Sequence, residues 1–257
     1  MVDYELQGHV AVLKINRPEA RNAVNGAVAS GMEAAIDRLE EDDDVWVGIV
    51  TGERTEKGHI FCAGADLKAI NAGEAASLAT ERGGFGGIVQ RDRTKPLIAA
   101  VDGPALAGGT EIVLACDLVV ASTTATFGIP EVKRALVAGA GGLFRLPRKL
   151  PRNIAMEAAL TGDPISAERA HHHGLVNELC AEGQALATAL ALAERIAANA
   201  PLAVRESRKI ILAATDAEDE VGWQMSMEGM GKMMQSEDLS EGLMAFIEKR
   251  PPQWKGR

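Results

Sequence analysis

A layered α/β fold that gives way to helices toward the C-terminus is what this sequence predicts, and three observations carry the prediction. Over roughly the first 150 residues, short apolar runs bounded by turn residues alternate with stretches of helical periodicity, the pattern that strands and helices make when they stack in layers. After that point Ala-rich patterns of helical spacing dominate. The chain has 257 residues, 47% hydrophobic and 25% charged, which is long enough to bury a core without staples and ordinary for a globular protein.

Taken in order, Val10, Val12, Leu13 and Ile15 sit among His9, Lys14 and Asn16 before Arg17-Pro18, which reads as a strand ending at a turn. Val28, Met32, Ala35, Ile36 and Leu39 recur at steps of three and four, one stripe of a helix. Glu40-Glu41-Asp42-Asp43-Asp44 follows. Five acids at a helix C-terminus oppose the macrodipole, so the run reads as a solvated turn. Residues 46–51, 97–101 and 118–121 are apolar runs of strand length, and short helical patterns cover 66–71 and 109–116. Further helices are expected over 153–160, 166–173, 182–198, 202–215 and 239–248.

Composition excludes several functions. A formal charge of −9, from 27 Lys+Arg against 36 Asp+Glu, and only 4% aromatic residues argue against a nucleic-acid partner, which needs a basic face and stacking rings. Three scattered cysteines, Cys62, Cys116 and Cys180, form no disulfide framework or zinc motif and read as reduced thiols. No apolar run reaches the roughly 18–20 residues of a membrane span, and Met1-Val2-Asp3-Tyr4 begins no basic, then apolar, signal segment. The expectation is a cytosolic protein without a membrane partner.

The common nucleotide and hydrolase motifs are missing: there is no P-loop and no G-x-S-x-G elbow, and Phe144 stands where Gly139-Ala140-Gly141 would need its third glycine. His171-His172-His173 cannot easily share one metal, because adjacent helical side chains diverge; with Gly174 following, the cluster reads as a helix end, and no metal is expected. Three small-residue stretches beside acids are more informative. They are Ala63-Gly64-Ala65-Asp66, Gly108-Gly109-Thr110-Glu111 and Gly128-Ile129-Pro130-Glu131. In each, a ligand can approach backbone N–H groups closely, next to a carboxylate.

In this order and spacing, together with Asn16 to Ala23, Gly103 to Asp117, Phe127 to Leu146, Ala167 to Asn177 and Glu241 to Pro251, these motifs resemble the enoyl-CoA hydratase/isomerase (crotonase) superfamily over nearly the whole chain. The resemblance implies a spiral of ββα turns over residues 1–195 and a C-terminal helical trimerisation region over 196–257. It implies an acyl-CoA substrate, with coenzyme A as the thioester carrier and not a resident cofactor. Ala65 and Gly108 match the family's oxyanion-hole positions. Glu111 matches the carboxylate that activates water, and Glu131 the one that exchanges a proton at C2. Arg21, Ala23, Ala63, Asp66, Leu67 and Lys68 match coenzyme A contacts, with Phe246 and Lys249 reaching that site from the terminal helix, often of a neighbouring subunit.

Relatives that isomerise double bonds commonly keep only the carboxylate at the Glu131 position. Having both implies an enoyl-CoA hydratase, with a dehydratase of a polar 3-hydroxyacyl-CoA (carnitinyl-CoA-like), an isomerase and a non-catalytic acyl-CoA binder as alternatives. The third motif departs from typical hydratases at Lys133-Arg134, Ala138 and Leu143-Phe144, which leaves the acyl preference open; Lys133 and Arg134 read as solvated loop charges. The glycines around Phe85 in Arg82 to Gly87 predict a mobile segment shaping the acyl pocket. Met225, Met227, Met230, Met233 and Met234 beside Trp223 suit adaptable subunit packing, in line with the trimers and hexamers of the family.

Overall fold

The computed structural model describes residues 1–56 and 58–257. The chain opens with a hairpin, β1 (Val2–Gln7) and β2 (Val10–Ile15), then helix α1 (Gly26–Glu41). Asn25 caps α1 by accepting the Val28 N–H, and the buried stripe is the predicted one, with Ala29 added. From here one unit recurs: a strand of a large sheet, a short extended step beside it, and a helical turn. β3 (Val47–Gly52) leads through an isolated bridge at Cys62 to α2 (Leu67–Asn71). After a small hairpin, β4 (Ala79–Thr80) and β5 (Gly84–Phe85), the second unit is β6 (Leu97–Val101), β7 (Pro104–Leu106) and α3 (Gly108–Ala115). The third is β8 (Leu118–Ser122), β9 (Thr126–Gly128) and a 3-10 turn at Pro130–Arg134.

The remainder is mostly helical: α4 (Gly142–Lys149), α5 (Arg152–Thr161), β10 (Ile165–Ser166), α6 (Ala167–His172), β11 (Glu178–Cys180), α7 (Ala185–Ala197), α8 (Pro201–Ala214), α9 (Asp219–Met233) and α10 (Glu237–Glu248). The large sheet has the order β1-β2-β3-β6-β8-β11, parallel except for the β1 edge. The small sheet has the order β10-β9-β7. Both faces of the large sheet are covered, as a parallel sheet requires. On one side lie Leu13, Ile15, Met32, Ile36, Leu39 and Phe61. On the other, Val10, Val12, Ile49 and Ile98 meet Ala185, Ala189 and Ala193 of α7, an alanine stripe at steps of four that lets the helix lie close to the sheet.

The predicted elements are present with shifts at their ends. The two-to-three-residue strands, β1, α4 and α9 were not foreseen. The acidic run, whose first two residues end α1, is not simply solvated. Glu40 accepts the Thr94 N–H and hydroxyl (2.8 Å each) and the Lys95 N–H (3.0 Å), so it fastens α1 to the approach of β6. The Lys95 side chain is fully buried, and its Nζ donates to the carbonyls of Leu39 (2.7 Å) and Asp42 (2.6 Å). These are orphan carbonyls at a helix C-terminus, where a cation complements the dipole; the lysine explains why acids are tolerated there.

Asp117, at the mouth of β8, accepts from Arg93 Nη1 (2.6 Å), the Leu97 N–H (2.8 Å) and Arg208 Nε of α8 (3.0 Å). Burial pushes its carboxyl up, but the two guanidinium groups outweigh this and hold it below the ordinary aspartate value. This cluster ties the C-terminal helices to the sheet. No helix among the described residues is long and apolar enough to cross a membrane.

The segment 82–87, expected to be mobile, is packed. Gly86 N–H bonds the Leu78 carbonyl and Gln90 N–H bonds the Gly83 carbonyl, at 2.8 Å each. A Cβ on Gly87 would stand 2.1 Å from the Ala29 carbonyl oxygen of α1, and one on Gly83 would stand 2.2 Å from the Gly87 carbonyl oxygen. The glycines are there for close backbone approach. Gly87→Ala is therefore expected to lower Tm well beyond Gly8→Ala. Both residues have positive φ, but Gly8 has open space around its missing Cβ. Overpacking adds about 1–3 kcal/mol to the strain that the two variants share, and thermal unfolding of the pair reads the difference.

Candidate active site

The three helical turns that follow the stacked short strands open onto one cavity of about 1170 Å³, larger than the roughly 300–1,000 Å³ typical of small-ligand pockets. Ala65, Gly108, Glu111 and Glu131 all line it. Ala65 lies in a bridge with Val24 whose two hydrogen bonds use the Gly64 carbonyl and the Asp66 N–H (2.8 Å each). The intervening Ala65 N–H is thus turned away from Val24. Gly108 is the first residue of α3, so its N–H has no intrahelical partner.

The two backbones are held close together. A Cβ on Gly64, at φ +92°, would lie 3.2 Å from the Gly108 nitrogen and 2.9 Å from the Leu106 carbonyl oxygen. Ala107, just before α3, sits at φ +51°, a strained value for a residue with a side chain. Its N–H is fixed to the Gly128 carbonyl (2.8 Å). Gly108 in turn faces Phe85, whose ring carbons stand 2.3 Å from where a Cβ would be.

Glu111 is 3% exposed. Its Oε1 accepts the N–H groups of Ala140 (2.7 Å) and Gly142 (2.9 Å). Burial raises its carboxyl above the ordinary glutamate value, and those N–H groups and Arg145 moderate the rise by favouring the anion. Glu131 is half-buried, and among the described residues its Oε2 finds no hydrogen-bond donor. Burial is the main cause that raises its carboxyl, and the charge of Glu111 pushes it further, against its own backbone N–H and Arg134. Of the two acids, Glu111 is the better supported as an anion and Glu131 the readier to hold a proton.

The N-terminal motif builds one rim. Asn22, fully buried at φ +54°, donates to the carbonyls of Glu53 (2.8 Å) and Ile60 (2.7 Å) and accepts the Arg17 N–H. Arg17 Nη1 reaches Asp66 Oδ2 at 2.6 Å and the Ala23 carbonyl at 3.1 Å. Asp66 also caps α2 through the N–H groups of Lys68 and Ala69, so its carboxylate is occupied with structure although it borders the cavity. Arg21, Ala23, Ala63, Leu67 and Lys68 line the same rim.

Phe246 and Lys249 are not brought to the cavity of this chain. Phe246 is 85% exposed, and Lys249 ends α10 in the left-handed conformation. Lys133 pairs with Asp163 at 2.6 Å on the surface, and Arg134 is an exposed charge, as expected, that also borders the cavity mouth. Phe85, Gly84 and Val89 supply wall, so segment 82–87 does shape the pocket. The histidine run ends α6, and no metal-holding cluster occurs among the described residues. Sequence reasoning missed Arg17 and Asn22 as builders of the rim, although both stand in the motif it quoted. It also missed the Ala140 and Gly142 N–H groups, which a glycine-rich turn could have signalled.

The enoyl-CoA hydratase/isomerase family model matches residues 5–257. The chain belongs to that family. Carnitinyl-CoA dehydratase of Proteus mirabilis is 37% identical over 98% of this chain and 97% of its own. Mevalonyl-coenzyme A hydratase of Aspergillus fumigatus is 39% identical over 96% and 92%. Among solved structures, an enoyl-CoA hydratase from Mycobacterium tuberculosis H37Rv superposes with a TM-score of 0.94 at 49% identity, covering 100% of this chain and 99% of that one. A carnitinyl-CoA hydratase from Mycobacterium avium gives 0.76 at 45% identity, covering 100% and 98%. The spiral of ββα turns is the crotonase fold that these relatives share.

The carboxyl environment of Glu131 makes a prediction about stability. A carboxyl whose folded value is raised destabilises the fold when ionised, and the penalty vanishes once pH falls below the unfolded value. Glu131→Gln is therefore expected to raise Tm near pH 8, with the gain shrinking toward pH 4. Scanning calorimetry across that range checks the sign.

Proposed function

We propose that the protein is an enoyl-CoA hydratase, adding water reversibly across the double bond of a 2-enoyl-CoA thioester. The observation that carries this reading is the convergence of Glu111 and Glu131, from different turns of the spiral, on a cavity also bordered by the Ala65 and Gly108 backbone. The thioester oxygen would accept both N–H groups, which stabilise the enolate charge as it develops, each worth about 2.7–4 kcal/mol in comparable sites. Glu111, ionised, takes a proton from water as its oxygen bonds to C3. Glu131, protonated, delivers its proton to C2. The net addition is one water, and the two carboxyls exchange states for the reverse direction. Environments that separate two carboxyls in this way mark the base and the acid.

Coenzyme A is the carrier of the substrate, bound along the rim of Arg21, Ala23, Ala63, Asp66, Leu67 and Lys68. Phe246 and Lys249 would complete this site from a neighbouring subunit, since Phe246 is left largely exposed by its own chain. The exposed apolar side chains of Trp223, Met227, Met230, Leu243 and Ile247 on α9 and α10 support a homotrimer or hexamer built through residues 196–257, because patches of this kind mark association surfaces. Light scattering is expected to give a trimer or a multiple of it; a stable monomer rejects the assembly.

Relatives named for carnitinyl-CoA and mevalonyl-CoA favour one second reading, the same chemistry run on a polar acyl group. A panel of 2-enoyl-CoAs and 3-hydroxyacyl-CoAs from C4 to C16, polar members included, decides between them. Glu111→Gln and Glu131→Gln are each expected to cut turnover of the preferred substrate about 10²–10⁴-fold while thioester affinity, read by calorimetry, changes little. Near-normal turnover in either variant would refute the assignment.

A further inference from the structure

Arg145 of α4 is a half-buried cation with no part in the reaction described above. We infer that Arg145 is a positioning residue: it pins the turn whose N–H groups hold Glu111, and so fixes the aim of that carboxylate into the cavity. The inference rests on the hydratase reading for its effect on turnover, but its geometric content stands by itself.

The guanidinium folds back over the turn that precedes its own helix. Nη2 donates to the Val89 carbonyl at 2.6 Å and Nη1 to the Ala140 carbonyl at 3.4 Å. Gly141, between the two N–H donors, has φ +107°, and a Cβ there would lie 2.6 Å from Nη1. A Cβ on Gly142 would lie 3.2 Å from Glu111 Oε1. One short turn is thus gripped from two directions, by the carboxylate through the Ala140 and Gly142 N–H groups and by the guanidinium through the Ala140 carbonyl. Val89 is itself cavity wall, so Arg145 also ties the turn to that wall. A rigid fork can hold two carbonyls at once, which a lysine ammonium on a flexible stem does poorly.

The charge acts in the same direction as the bonds. Arg145 is the cation that favours the ionised form of Glu111. Glu131, with Arg134 beside it, faces Glu111 from the 130–134 turn, and Arg93, Arg148 and Cys116 surround the guanidinium. Burial disfavours the Arg145 cation, a cost that a purely surface role would not require.

The test compares wild type, Arg145→Met and Arg145→Lys in the full-length protein by two readouts: pH profiles of enoyl-CoA hydration, and amide hydrogen exchange over residues 138–146. Arg145→Met is expected to lower kcat about tenfold to a hundredfold, as small misplacements of a reacting group do, with KM within about threefold. Its acid limb moves to higher pH, because loss of a neighbouring cation raises the carboxyl that must be ionised. The Ala140 and Gly142 amides exchange about tenfold faster while those of α1 do not. Arg145→Lys restores the acid limb but not the protection. Wild-type kcat and protection in Arg145→Met overturn the inference, as does faster exchange spread evenly over the chain. If wild type hydrates no enoyl-CoA, the hydratase reading fails, and exchange at 140 and 142 still decides whether Arg145 holds the turn.

Discussion

Cys62, Ala105 and Phe127 stand in neighbouring rungs of one short ladder, with Cys62 bridged to Ala105 and Ala105 facing Phe127, and the rest of the site depends on that ladder. It brings three segments of chain, distant in sequence, to the roughly 4.8 Å spacing of paired strands. The chain then leaves each rung after nearly the same number of residues. Ala65 lies three beyond Cys62, Gly108 three beyond Ala105 and Glu131 four beyond Phe127. Stacked exits of similar length put two N–H groups and an acid at one place. Thr110, 1% exposed, fastens the second and third exits together: its hydroxyl lies within 2.8 Å of the Ala105 and Gly128 carbonyls and accepts the Gly128 N–H. Its single proton serves one carbonyl at a time.

The electrostatics follow from that stacking. Two carboxyls in one partly dry cavity cannot both ionise freely, and the fold breaks the symmetry between them with backbone donors. Glu111 receives two N–H groups from the turn before α4, while the buried oxygen of Glu131 receives none among the described residues. The difference between the two carboxyls is thereby written into three small residues, Ala140, Gly141 and Gly142, outside the elements that carry the acids themselves.

Legibility in the sequence followed element length and the range of the interactions. The α1 stripe and the apolar runs of β3, β6 and β8 were readable because periodicity over five or more residues is a local signal. The rungs at Cys62 and at β7 and β9 span three residues or fewer, too short for any period, and only the resemblance pointed to the spiral they build. Ala65, Gly108, Glu111 and Glu131 were found through the small residues and acids around them. Lys95, Glu40 and Asn22 were not, since each is a polar side chain whose partner carbonyls or N–H groups lie dozens of residues away. The glycines of 82–87 were misread because composition reports freedom in an isolated chain, whereas here the missing Cβ atoms of Gly83 and Gly87 leave space that another stretch of backbone occupies, and those of Gly84 and Gly86 face the Gln90 and Ile112 side chains.

The ring of Phe85 against Gly108 has a consequence for how this protein can change. Phe85 belongs to the cavity wall, and Gly108 is the residue whose N–H the proposed reaction would use; the ring fills the space that a side chain on residue 108 would take. A larger or smaller residue at 85 therefore alters the wall and the footing of that N–H together. Under the proposed reaction, the shape of the wall and the placing of that N–H are mechanically geared at this point, so a change that reshapes the wall at residue 85 also disturbs the backbone beside it. Changes at Leu136 or Val137, exposed residues that border the same cavity, reshape the wall without replacing the ring that stands against Gly108.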